Sequence, residues 1–243
     1  MNDILLYFSY IHKGNNYLIY KSIKNNEPVD NEKIEEIKAL LKEKDIKTLT
    51  VFDKEYPEQL KHLKYAPFIL YYQGNLDLLN YDLISMTGDI ETENVVNNIN
   101  TIVPNLMTKG VLVTNNYKNL DQKIIDIYRE NNQKIIFILA NGLTYEPFEI
   151  KKDTELVITQ YPFDTHPKLI YFKERNVICS ALAKCLIIYS SKRNSGIINL
   201  AMCFANMGKE VYCYPGLTYD DGNTFLIKSG ANLMTHLGDV SYY

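Results

Sequence analysis

The sequence predicts an α/β protein: a mostly parallel sheet with helices on both faces, preceded by a small, mainly helical region. Three observations lead there. Short apolar segments alternate with helix-like ones from Phe68 to Leu233. Several of those segments are nearly continuous apolar runs, as strands covered on both faces are. Two of them, Cys185–Tyr189 and Val211–Tyr214, run into small-residue turns, Ser195-Gly196 and Pro215-Gly216. In open α/β sheets the carboxyl ends of strands are where phosphate-bearing ligands sit.

The elements follow in order. Residues 1–50 are read as the N-terminal region and 51–243 as the main domain. In the first, Asp30 caps a helix over Asn31–Lys44, with Ile34, Ile37, Leu40 and Leu41 on one face. Leu5–Tyr20 is aromatic and ambiguous, and Lys47–Phe52 is a short edge strand. Tyr56-Pro57 and Ala66-Pro67 punctuate a linker, because a residue before proline avoids helix. Strands are expected at Phe68–Tyr72, Leu83–Met86, Val111–Thr114, Lys134–Leu139 and Glu155–Thr159. Helices are expected at Thr92–Val103, Leu120–Asn131, Arg175–Ala183 and Gly196–Met207, with Phe172 to Arg175 as the turn that opens the third.

Composition narrows the function. With 46% hydrophobic residues the 243-residue chain can bury a real core. Its net charge of −3 excludes a basic coat over the whole protein, so any polyanion site must be local. No apolar run is long enough to span a membrane. An acid at position 3 and the lack of a basic n-region argue against a signal peptide, so the expected location is cytoplasmic. Four cysteines form no Cys-x-x-Cys pair and read as free core thiols, and four scattered histidines suggest no metal site.

Two motifs point to an anion. Asn194-Ser195-Gly196 lies between a strand and a helix, where unpaired backbone N–H groups can hold phosphate. A plain helix cap by Asn194 or Ser195 is the simpler account. Arg175 could fork onto a phosphate or sit in a surface ion pair. Residues 163–193 carry six basic side chains against two acids, a local +4. Tyr161, Phe163, Tyr171 and Phe172 interleave with them, which suits single-stranded nucleic acid, although aromatics at strand ends are commonly core. The turn Met86-Thr87-Gly88-Asp89 is a poor dinucleotide fingerprint. No Walker A motif, nucleophile elbow or paired-carboxylate signature appears, which argues for a binding protein or for an enzyme with a cryptic site.

The order of several short segments resembles the bacterial DNA-processing protein A family, also called Smf. Tyr56-Pro57-Glu58-Gln59-Leu60 resembles its Tyr-Pro-x-x-Leu segment, and Pro67, Leu70-Tyr71 and Gly74-Asn75 its next stretch. Gly142-Leu143, Tyr161-Pro162, Phe172 with Arg175-Asn176, Ser195-Gly196, Pro215-Gly216 and Leu226-Ile227 with Gly230-Ala231 follow in family order. The departures are Ile90 for an arginine, Asn115 and Asn119 for glycines, Val177 for a second arginine and Ser190 for a glutamate. The chain ends at Tyr243, so the winged-helix-like C-terminal domain of many members is expected to be absent.

The resemblance implies an extended Rossmann-like fold, a homodimer, binding of single-stranded DNA and loading of RecA during natural transformation. No catalysis, no cofactor and no metal are expected. The residues expected to bind DNA, from the resemblance and the local charge together, are Arg175, Asn176, Lys118, Lys173, Lys192, Arg193, Ser195, Gly196, Gly88, Pro215 and Gly216. Arg175 is expected to be the strongest single contact, and the departures to weaken binding. Two other readings stand beside this one: a nucleotide-binding enzyme or sensor of a related Rossmann-like class, and a degenerate paralogue that keeps only protein–protein contacts.

Overall fold

The computed structural model describes residues 2–118, 120–145 and 149–240. Its strands are β1 (Lys47–Thr50), β2 (Ile69–Gly74), β3 (Leu83–Thr87), β4 (Val111–Thr114), β5 (Ile135–Ile138), β6 (Glu155–Thr159), β7 (Cys185–Ile188), β8 (Val211–Cys213) and β9 (Asn232–Leu233). Its α-helices are α1 (Asn2–Ile11), α2 (Asn16–Lys24), α3 (Asn31–Glu43), α4 (Glu58–Lys61), α5 (Glu93–Leu106), α6 (Leu120–Glu130), α7 (Leu169–Leu182), α8 (Gly196–Asn206) and α9 (Gly222–Lys228). The chain divides into two compact units, Met1–Leu76 with Leu139–Phe172, and Asp77–Ile138 with Lys173–Tyr243. No helix among the described residues is long and apolar enough to cross a membrane.

In the first unit β2 pairs antiparallel with β1 on one side and β6 on the other. The expected cap forms: the Asp30 side chain accepts from the Lys33 N–H at 3.1 Å, and Ile34, Ile37 and Leu41 are buried on one face of α3. The ambiguous aromatic stretch resolves into two helices, α1 and α2, with Asn15 capping the second. The buried Tyr71 hydroxyl donates to Ser9 Oγ at 3.0 Å, which fixes α1 over β2.

The second unit is all parallel, in the order β5-β4-β3-β7-β8-β9. Its central strands are fully buried, as their unbroken apolar runs require. From β3 the chain steps outward through α5, β4, α6 and β5. From β7 it steps the other way through α8, β8, α9 and β9. Right-handed crossovers therefore put α5 and α6 on one face and α8 and α9 on the other. The strand order reverses between β3 and β7, and at such a reversal an open sheet presents a crevice to ligands.

One expected boundary needs correction. Phe172 to Arg175 is not a turn that opens a helix, since α7 already begins at Leu169. The segment Leu169-Ile170-Tyr171-Phe172 is apolar and carries no cap signature, so it hides the start of a helix whose buried face runs from Arg175 to Leu182. Helix α9 and strand β9, outside the expected elements, complete the sheet's far edge.

Candidate nucleic-acid interface

Four loops leave the carboxyl ends of β3, β4, β7 and β8 in the second unit. The β3 and β7 loops flank the reversal and are tied together. The Asp89 N–H donates to the Ser190 carbonyl at 3.2 Å, and the Lys192 N–H donates to Asp89 Oδ1 at 2.9 Å. Ser190 Oγ donates to the Ile90 carbonyl at 2.8 Å and accepts from the Ile90 N–H at 3.1 Å. The Asp89 carboxylate thus holds the basic loop in place. Gly88 is buried under this junction. A Cβ there would come within 2.7 Å of Leu120 and 3.2 Å of Ser190 Oγ, so only glycine fits without a shift.

The β4 loop is built on a buried acid. The Asp121 carboxylate accepts from Thr87 Oγ1 at 2.7 Å, Thr114 Oγ1 at 3.1 Å and the Tyr117 N–H at 3.2 Å. Burial pushes its pKa up to about 6 against the pull of these bonds and of the Gly88 N–H. It links the ends of β3 and β4 into one support.

A ladder of amides lies above it. Asn115 Nδ2 donates to Asn176 Oδ1 at 3.0 Å, and Asn176 Nδ2 donates to Asn199 Oδ1 at 3.0 Å. The Tyr117 hydroxyl reaches the same Asn176 oxygen at 3.4 Å. Helices α7 and α8 are thereby pinned to the β4 loop by neutral groups. Asn115 is one of the two positions that the family resemblance marks as departures from glycine. Asn119, the other such position, lies outside the described residues.

Arg175 is placed beneath that loop. It is 4% exposed, donates from Nη1 to the Asn115 carbonyl at 3.1 Å and lies over the Tyr117 ring at 4.8 Å. The sequence puts this guanidinium at the mouth of the site, whereas the fold surrounds it with the loop it supports. Asn176 is likewise buried.

On the β7 and β8 side the cations stay outside. Lys192, Arg193 and Gly196 are exposed and Ser195 is half-buried. Ser195 caps α8 by accepting from the Ile197 N–H at 3.1 Å. The Arg193 guanidinium lies 3.2 Å from the centre of the Phe225 ring. Pro215 is exposed and Gly216 half-buried, and the β8 loop wraps the Asp221 carboxylate. That carboxylate accepts from the Thr218 N–H at 2.9 Å and the Thr224 N–H at 2.8 Å. A Cβ on Gly216 would overlap Thr224 Oγ1 at 1.9 Å, so this turn needs glycine. Asn223 closes the unit by donating to the Tyr214 carbonyl at 2.9 Å and accepting from Ser191 Oγ at 2.7 Å.

The expected residues therefore separate. Lys118, Lys192, Arg193, Ser195, Gly196, Pro215 and Gly216 lie on three of the four loops, and Lys173 is exposed on α7 near its Arg175-Asn176 anchor. Gly88, Arg175 and Asn176 are the buried supports. The local +4 is not one patch. Lys184 precedes β7 and pairs with Asp82 at 2.6 Å, at the opposite edge of the sheet. Lys168 belongs to the first unit, over the Tyr171 ring. Tyr161 and Phe163 are buried in the first unit, so they are core rather than stacking platforms.

Sequence reasoning passed over Tyr219, which is 79% exposed on the β8 loop with Lys228 Nζ 3.7 Å from its ring centre. Its place in a polar Tyr-Asp-Asp-Gly stretch after Pro215-Gly216 was the available signal. It also passed over Asp121 as the joint between two strands.

The family model for DNA recombination-mediator protein A matches residues 47–243. The chain belongs to this family. Among its relatives is the DNA processing protein DprA of Streptococcus pneumoniae, 27% identical over 204 residues that cover 79% of this chain and 72% of that one. DprA of Bacillus subtilis is 24% identical over 223 residues, covering 86% and 74%. The Smf protein of Escherichia coli is 26% identical over 198 residues, covering 76% of this chain and 53% of its own. Two solved structures of DNA processing protein A share the fold. DprA from Streptococcus pneumoniae superposes with a TM-score of 0.75 at 24% identity, over 97% of this chain and 94% of that one. DprA from Helicobacter pylori, described with a single-stranded DNA binding mode, gives 0.67 at 22% identity, over 80% and 93%.

Proposed function

We propose that this protein binds single-stranded DNA across the carboxyl-edge loops of its second unit and serves as a recombination mediator. One observation carries the reading: the strand order reverses between β3 and β7, and the loops around that reversal hold exposed Lys118, Lys192 and Arg193 over a rigid, charge-buried support. Cations held on fixed loops suit a phosphate backbone. The exposed Tyr219 ring offers a face for a base, which duplex DNA keeps stacked inside. The bound strand passes to a RecA-type recombinase during DNA uptake, and the chain works in the cytoplasm as a homodimer without a catalytic step.

The test is fluorescence anisotropy with labelled single- and double-stranded oligonucleotides over a salt series. Tighter binding of the single strand, weakening as salt rises, is expected. No binding of either strand at low salt, or saturation by a mononucleotide that excludes the oligonucleotide, would overturn the reading.

A further inference from the structure

The first unit holds a cavity of about 400 Å³, within the range of small-ligand pockets. Tyr17, Tyr20 and Tyr65 form its walls, Asn16 and Phe68 also line it, and Lys64 is its one charged side chain. The Phe68 N–H donates to Asn16 Oδ1 at 3.2 Å, which locks two of these linings together.

The three tyrosines are exposed together around one concavity. Tyr17 is 61%, Tyr20 51% and Tyr65 60% exposed, while Tyr71, Tyr128 and Tyr161 are packed in cores. Single exposed aromatics need no explanation, but several around one concavity mark a binding surface. The ring faces favour a flat, aromatic partner, and a lone ammonium with no carboxylate in the lining favours a negatively charged one. Lys64 Nζ lies 5.3 Å from the Tyr65 ring centre, so charge and stacking face are adjacent.

We propose that this cavity binds one nucleotide unit, its base stacked among Tyr17, Tyr20 and Tyr65 and its phosphate met by Lys64. The unit is either an unstacked residue of a single strand or a free mononucleotide, and both present the same chemistry. The site stands on the first unit alone and does not depend on the reading of the carboxyl-edge loops.

Photo-cross-linking locates it directly. The full chain is irradiated with an oligonucleotide carrying one 5-iodo-2′-deoxyuridine, and separately with the corresponding 5′-monophosphate, and adducts are mapped by mass spectrometry. Adducts on Tyr17, Tyr20 or Tyr65 are expected, from the oligonucleotide if the strand is the source and from both probes if free nucleotide also enters. Replacing Tyr17 and Tyr65 together by phenylalanine should keep the affinity for the probe that forms adducts. Replacing both by alanine should lower it about five- to hundredfold in a protein whose circular dichroism is unchanged. Adducts found only in the second unit would overturn this site while leaving the loop interface standing. Adducts nowhere, or an alanine pair that folds and binds as tightly as the parent, would also overturn it.

Discussion

The two halves of the loop cluster are held by different means. On the β4 side Asp121 and Arg175 are buried, the Asn115–Asn176–Asn199 ladder joins the elements with neutral amides, and Lys118 stands exposed on the loop. On the β7 and β8 side the holding groups are Asp89, Asp221 and Asn223, bonded largely to backbone, and the cations Lys192 and Arg193 are left at the surface. Buried charge serves the fold because its desolvation must be offset by fixed partners. Exposed charge stays available to a ligand. Substitutions of the buried groups should therefore register as stability, and those of the exposed cations as binding.

The largest effect is expected at Arg175. Arg175→Ala removes a buried hydrogen bond to the Asn115 carbonyl and the packing under Tyr117, and should cost about 2–4 kcal/mol in urea unfolding. Arg175→Lys should recover little, since an ammonium lacks the planar fork. Normal stability with lost DNA affinity would break the contrast, because Arg175 would then act on the ligand.

Next comes the buried acid. Asp121 titrates near 6 in the folded chain and near 3.8 when unfolded, so the fold holds its proton longer. Its contribution is full below pH 3.8 and is lost as pH rises through about 6, a decline of at most about 3 kcal/mol. Urea midpoints between pH 4 and pH 7 should show that decline, and Asp121→Asn should remove its share of it. An unchanged slope in the variant would mean that Asp121 is not the group responsible.

A smaller change, confined to binding, is expected from Lys192→Ala combined with Arg193→Ala. Single-strand affinity should fall about ten- to hundredfold with the unfolding midpoint unmoved. Lys44→Ala, in the first unit, should alter neither quantity in the same assays.

Much of this fold was legible because short buried strands advertise themselves. Val111–Thr114 and Glu155–Thr159 were expected with the bounds observed, and Asp30 and Ser195 announced their helices by the oxygen they place before the first turn. The start of α7 was not legible, since Leu169 to Phe172 lacks a cap and the segment from Phe172 to Arg175 reads as a polar turn. The site was half legible. Basic residues beside glycine turns pointed to the carboxyl edge of the sheet, where the proposed interface lies, but charge counting along a segment could not tell Lys192 from Lys184, which stand beyond opposite ends of the same strand. The amide ladder was invisible for a different reason: Asn115, Asn176 and Asn199 meet only through the fold, and no local pattern records a partner 61 residues away.

The central claim is that phosphate contact belongs to the exposed loop cations. The most direct measurement is the salt dependence of single-strand affinity for the parent and for a variant with Lys118, Lys192 and Arg193 all changed to alanine. Each phosphate contact adds about 0.7 to the slope of log affinity against log salt, so the variant's slope should be shallower by about 2. A slope equal to the parent's, in a folded variant, would contradict the account and place the DNA elsewhere on the protein.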